Sequence, residues 1–226
     1  MTTKIIIEDH VVPQLLTSAI EAYEIKHKAH LNGKEKSAIE TYGLLWGYVL
    51  PERHGQNKRI VSTIATIETS ALRHEDWVKP NLESLIMKKD FFQKYWSHLE
   101  LVGTFHSHPY KTLSEVNHLQ GWRASNADLN HFPWIHKNLS PELPCMAHII
   151  ITIAALKSKG SAFPQSLAGG ESSTGFVLSS DYRKFWIKGY SSEAEFFVND
   201  DDKKDANYES SYDIRLDIPS LEKRFR

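Results

Sequence analysis

The chain has 226 residues, 41% hydrophobic and 24% charged, with 27 Lys and Arg against 28 Asp and Glu for a formal net charge of -1. That composition excludes a mainly disordered chain, and the balanced charge excludes a globally basic surface for nucleic acid or an anionic membrane, leaving room only for a local patch. The single cysteine, Cys145, excludes an internal disulfide framework and a zinc finger built on several thiolates, and it fits a reducing, cytoplasmic setting.

The start, MTTKIIIEDHVV, has only three isoleucines before Glu8 and Asp9 and does not read as a signal peptide. Lys4 to Glu8 predicts a short strand. A helix follows from Pro13, with Leu15, Leu16, Ile20 and Tyr23 on its apolar face, ending before Asn32-Gly33. Ala38 to Leu50 and Arg59 to Glu68 predict a β-hairpin joined by the turn Pro51 to Lys58. Asn81 to Leu99 carries Leu82, Leu85, Ile86, Phe91, Phe92 and Tyr95 at helical spacing. Leu101 to His106 predicts a strand, and Ser125 a helix start with a capping serine and an acid three residues on.

Ala147 to Leu156 predicts a buried central strand, too short to cross a bilayer. Lys157 to Gly175, rich in Gly, Ser and Pro, predicts a loop. Phe176 to Ser179 and Lys184 to Tyr190 predict two strands, Asn199 to Asp205 a solvated turn, and Tyr212 to Ile218 an edge strand before a basic tail, LEKRFR. Strands interleave with helices, as in an α/β or α+β sandwich.

Twelve histidines are an excess that directs attention to metal or acid–base chemistry. Two stand in His106-Ser107-His108-Pro109 at the end of a predicted strand. Residues i and i+2 of a strand share a face, so both imidazoles can converge on one ion, and neutral imidazole is a good zinc ligand. Ser125-Asn126-Ala127-Asp128 offers a carboxylate as a third ligand, or simply a helix cap. Glu40 precedes Gly43, Leu45 and Gly47 on the first hairpin strand, where a lone glutamate usually faces solvent.

Together, Glu40 in an E-x-x-G-x-L-x-G order, then H-S-H-P, then S-x-x-D resemble the catalytic set of the JAMM metalloproteases, also called MPN+ or JAB domains. The resemblance covers roughly residues 35–160 of what reads as one domain over 1–226. It implies a cytidine-deaminase-like JAB/MPN fold, a curved mixed β-sheet flanked by helices. It implies Zn2+ on His106, His108 and Asp128, Glu40 as general base for the attacking water, and Ser125 as the oxyanion donor.

Fifteen residues, Tyr110 to Ala124, separate Pro109 from Ser125, more than the family pattern has. Asp128 is the best third ligand, with Glu115, His118 and His131 as rivals. The inserted segment reads as a loop beside the cleft that could offer a strand edge to an extended substrate, with Trp122 as a wall. The other tryptophans read as packing, and Cys145 as an inert buried thiol.

The function implied is a zinc-dependent isopeptidase or peptidase acting at the C-terminal tail of ubiquitin or a ubiquitin-like protein, with a small residue, most readily Gly, before the scissile bond. Stand-alone family members of this size resemble bacterial deconjugases encoded beside ubiquitin-like proteins and their activating and conjugating enzymes, often in antiviral defence. Neither nucleic acid nor a membrane is expected as a partner. The alternatives are a processing protease for a sulfur-carrier protein, a non-catalytic MPN-type scaffold, and a DNA-linked relative with H-N-H-P in place of H-S-H-P.

Overall fold

The computed structural model describes residues 2–28, 35–53, 55–199 and 204–222. Asn32-Gly33, His54 of the first turn, most of the Asn199 to Asp205 turn and the end of the basic tail lie outside the described residues.

The elements follow in chain order. The first are β1 (Thr3–Ile7), α1 (Val12–Glu24), β2 (His27–Lys28), β3 (Glu35–Lys36), β4 (Tyr42–Leu50) and β5 (Arg59–Ile67). Then come β6 (Leu72–Arg73), β7 (Val78–Lys79), α2 (Leu82–Tyr95), β8 (Glu100–Tyr110), α3 (Leu113–Leu119) and α4 (Asn126–Leu139). The chain closes with β9 (Cys145–Ser166), β10 (Gly175–Val198), β11 (Lys204–Ser211) and β12 (Ile214–Asp217). This is a mixed α/β structure with four helices and one large mixed sheet of order β11-β10-β9-β8-β4-β5-β1-β12. No helix among the described residues is long and apolar enough to cross a membrane.

The apolar run of β9 is continuous because both its faces are covered. Ile149, Ile151 and Ile153 join the core around α1, with Val11, Val12, Leu15 and Ala19. Ile150 faces the other way, against Phe132 of α4. On that second face Trp46 of β4 stacks on Phe92 of α2, with centroids 3.8 Å apart, and Leu85, Ile135 and Leu139 complete the cluster. Burial of this kind is worth roughly 1.5–3 kcal/mol per large apolar side chain, which is what holds the helices to the sheet.

The sheet curls around α1 until its ends approach. Leu216 N of the edge strand β12 donates to Ser173 O at 2.8 Å, and Gly189 N of β10 donates to Thr174 O at 2.9 Å. Gly175 permits this closure, since a Cβ there would stand 2.3 Å from the Ile187 carbonyl oxygen.

The structure corrects several expectations. Lys157 to Gly175 is not a loop: β9 continues to Ser166 and only residues 167–174 turn. The two strands expected after it are one, β10, with register shifts between Val177 and Ser179 and between Asp181 and Arg183. The Gly/Ser-rich stretch becomes strand because Gly160 to Ala162, Gln165 and Ser166 pair with residues 176–181 of β10, a partner that composition does not encode. The inserted segment after Pro109 is helical through α3, and its capping box of Thr112 and Glu115 starts that helix. Asp205, read as a turn residue, belongs to β11.

Candidate metal centre and its cleft

β8 pairs in parallel with β9, setting Thr104 beside His148, His106 beside Ile150 and His108 beside Thr152. Alternation puts Thr104, His106 and His108 on the face covered by α4. Both site histidines are buried. Ser107 points the opposite way: its Oγ accepts from Thr41 N at 2.9 Å, and its own N donates to Thr41 O at 3.1 Å. The serine inside H-S-H-P therefore pins the residue next to Glu40.

Ser125 caps α4. Its Oγ accepts from Asp128 N at 3.1 Å, while Asp128 Oδ2 accepts from Ser125 N and Ser125 Oγ, both at 2.7 Å. The cap turns the carboxylate toward β8. Asp128 Oδ1 lies 3.1 Å from His106 Nε2, and Oδ2 lies 3.5 Å from His108 Nε2. The two Nε2 atoms are 3.0 Å apart. The S-x-x-D segment thus caps the helix and brings a third potential ligand to the histidines.

Those separations fit one small cation. One ligand atom from each of the three residues lies within 4.8 Å of the other two; the two Nε2 atoms, 3.0 Å apart, and Asp128 Oδ1, 3.1 Å from His106 Nε2, stand close to the edge of about 3.3 Å that zinc ligands at 2.0–2.1 Å define. The donor chemistry fits as well. His108 Nδ1 stands 3.1 Å from the Gly121 carbonyl, which can only accept, so the neutral ring that a metal requires keeps its proton on Nδ1 and would offer the Nε2 lone pair to an ion. Thr152 Oγ1 donates to the same carbonyl at 2.9 Å and fixes it.

Electrostatics follow from burial and proximity. Burial opposes the charge on Asp128, but hydrogen bonds and charge from His106 and His108 outweigh it and hold the carboxyl well below the usual range. Burial pushes His106 down, only partly offset by Asp128. In His108 burial acts the same way but is outweighed by Asp128, Glu40 and Gly121, and its pKa rises.

Glu40 lies two residues before β4, in irregular chain tied down by its N–H to the His74 carbonyl at 2.7 Å. Glu40, expected on the hairpin strand, lies just before it; unlike a lone strand glutamate, which usually faces solvent, it is 7% exposed. Burial pushes its pKa up to about 8; the charge on His108 opposes this, and Asp128 and Asp76 add to it. A carboxylate so poised, near neutrality in a buried cleft, is suited to taking and returning a proton.

Glu40, His106, His108, Ser125 and Asp128 line one cleft of about 690 Å³. Among the rival ligands, Glu115 lines the cleft, but its carboxylate accepts from Lys111 N and Thr112 N, both at 3.1 Å. His131 lines the wall, and its Nε2 is buried with no hydrogen-bond partner among the described residues. His118 is exposed on α3 and does not line the cleft. Trp122 does not wall the cleft as expected: it stacks on Trp186 at 6.3 Å, and its Nε1 donates to Glu171.

The rim that sequence reasoning missed is the β6–β7 hairpin, which brings Glu75, Asp76, Trp77 and Val78 to the cleft. The alternation of Leu72 and Arg73 against Val78 and Lys79 about a polar turn was its only signal. A scan against protein-family models and a search of curated proteins give no match for this chain.

Proposed function

We propose that this protein is a JAMM-type zinc peptidase or isopeptidase with a JAB/MPN fold, cleaving at the C-terminal tail of a ubiquitin-like protein. The observation that carries the reading is the convergence of His106, His108 and Asp128 from two elements, beside a buried Glu40, in one open cleft. The large mixed sheet and its four helices support the reading at the level of fold class.

Zinc held by His106, His108 and Asp128 would lower the pKa of a coordinated water toward about 7 and polarise the scissile carbonyl. Glu40 takes the proton from the attacking water and returns it to the departing amine. The Ser125 hydroxyl, now donating to Asp128, turns toward the oxyanion as charge develops there. An extended tail runs past the β6–β7 hairpin and α3, both of which contribute residues to the cleft lining. Such a groove admits a chain end more readily than a folded surface, which favours a tailed substrate.

Cleavage of a panel of ubiquitin-like and sulfur-carrier C-terminal fusions, with and without chelator, tests the proposal. Chelator-sensitive cleavage at the tail, restored by zinc, supports it. Absence of zinc from the purified protein overturns the metal centre, and equal cleavage of an unrelated unstructured peptide overturns the ubiquitin-like substrate. Inertness toward every fusion by zinc-loaded protein would favour the scaffold alternative.

A further inference from the structure

Asp128, Phe132 and His136 follow one another at i, i+4 and i+8, so they share one face of α4. Asp128 faces the histidine pair. Phe132 stacks on the His148 ring with centroids 4.2 Å apart and planes 5° from parallel. His136 reaches further in, with Nε2 3.1 Å from the Leu143 carbonyl and Nδ1 2.9 Å from Ser192 Oγ. Ser192 Oγ is 2.9 Å from His148 Nε2, and His148 Nδ1 is 2.9 Å from Thr104 Oγ1.

One assignment of protons satisfies the whole chain. The Leu143 carbonyl can only accept, so His136 donates from Nε2 and accepts at Nδ1 from the Ser192 hydroxyl. Ser192 then accepts from His148 Nε2, and His148 Nδ1 accepts from the Thr104 hydroxyl. Thr104, His136, His148 and Ser192 are each at most 1% exposed. Burial holds both imidazoles neutral, with the His136 pKa pushed down to about 4 and that of His148 well below its ordinary value. A buried network with every group satisfied is rigid and directional, unlike the apolar contacts around it.

The path of this network is informative. It starts at Thr104 on β8, two residues before His106, crosses β9 at His148 and β10 at Ser192, and ends at His136 on α4. It ties the strand bearing two donors to the helix bearing the third. A helix shifts its side chains by about 1.5 Å per residue of slippage, while a metal constellation needs its groups within about 0.5 Å.

We propose that His136, Ser192 and His148 are positioning residues for the metal centre, fixing the depth and rotation of α4 and so the place of Asp128 opposite His106 and His108. The inference rests on the metal-centre reading above. The competing role is purely structural, in which the network only satisfies buried polar groups and its loss lowers stability alone.

The test measures zinc affinity by chelator competition and the visible absorption of the cobalt(II)-substituted protein, beside thermal stability. Ser192→Ala removes one oxygen and cuts the chain in the middle. It should weaken zinc binding, by less than the about 10–100-fold that loss of a group bonded directly to a ligand costs, and alter the cobalt bands. His136→Leu should do the same, while His136→Asn, which can still accept from Ser192, retains more of the affinity. Folded Ser192→Ala and His136→Leu proteins with unchanged zinc affinity and cobalt bands would overturn the inference, even with a lowered Tm.

Coupling is reciprocal, so the unmutated chain gives a reading that needs no variant. One equivalent of zinc should slow solvent exchange of the His136 and His148 Nε2 protons, and unchanged exchange with zinc bound would overturn the inference. Failure of the unmutated protein to bind zinc or cobalt would instead sink the metal centre itself.

Discussion

His108 Nδ1 donates a hydrogen bond to the Gly121 carbonyl, 3.1 Å away, and so is oriented by the last turn of the segment after Pro109. The insertion is therefore built into the site and is more than a loop beside it. Its position is itself constrained, since a Cβ on Gly121 would lie 2.5 Å from the Tyr110 ring. Replacing Lys111–Gly121 by a short Gly/Ser turn should weaken zinc binding by about 10–100-fold through the freed His108 ring. Unchanged metal affinity, KM and kcat in the shortened protein would show that the segment plays no part.

The third donor is tested by Asp128. Asp128→Ala removes both the carboxylate that faces the histidines and the partner of the Ser125 cap. Metal content should fall from about one zinc per chain to near none, with activity lost in parallel. Retained zinc would hand the third position to Glu115 or His131.

Glu40 should separate from the ligands. Glu40→Gln should keep the zinc while turnover falls by about 10²–10⁴-fold. Near-normal turnover in that variant would leave Glu40 outside the chemistry.

Metal-free protein gives a second, activity-independent measure of Glu40. Its pKa rises from 4.5 in the unfolded reference to about 8 in the fold. Between those values the folded chain holds a proton that the unfolded chain has released. The stabilisation is full below the lower value and is lost as pH rises through the higher one. Glutamine cannot ionise and loses nothing. Denaturant titrations should find Glu40→Gln gaining on the unmutated chain between pH 5 and pH 9, by on the order of 3–5 kcal/mol. A pH-independent difference would contradict the buried, proton-holding state.

Ser125 carries two roles that two substitutions divide. Ser125→Ala removes the cap and the hydroxyl, costing about 1 kcal/mol of stability and roughly 10²-fold or more in turnover. Ser125→Asn keeps a capping group but no hydroxyl, so it should recover the stability and not the turnover. Full recovery of turnover by Asn would reduce Ser125 to a cap.

Pieces whose chemistry is local were legible from the residues alone. Alternation on β8 put His106 and His108 on one face, and the S-x-x-D box started α4 at Ser125. The run AHIIITIAAL, apolar on both faces, marked a central strand. Tertiary structure alone decided what depends on partners far away in the chain. The motif singled out Glu40, but its burial was not legible, since Ser107 and His74, both distant in sequence, fix its segment in the cleft. The ribbon after Leu156 is strand only because Phe176–Asp181 pairs with it. Likewise His136, Ser192 and His148 show no motif: their spacing is set by the sheet and the helix packed on it, and hydrogen bonds across elements leave no period in the sequence.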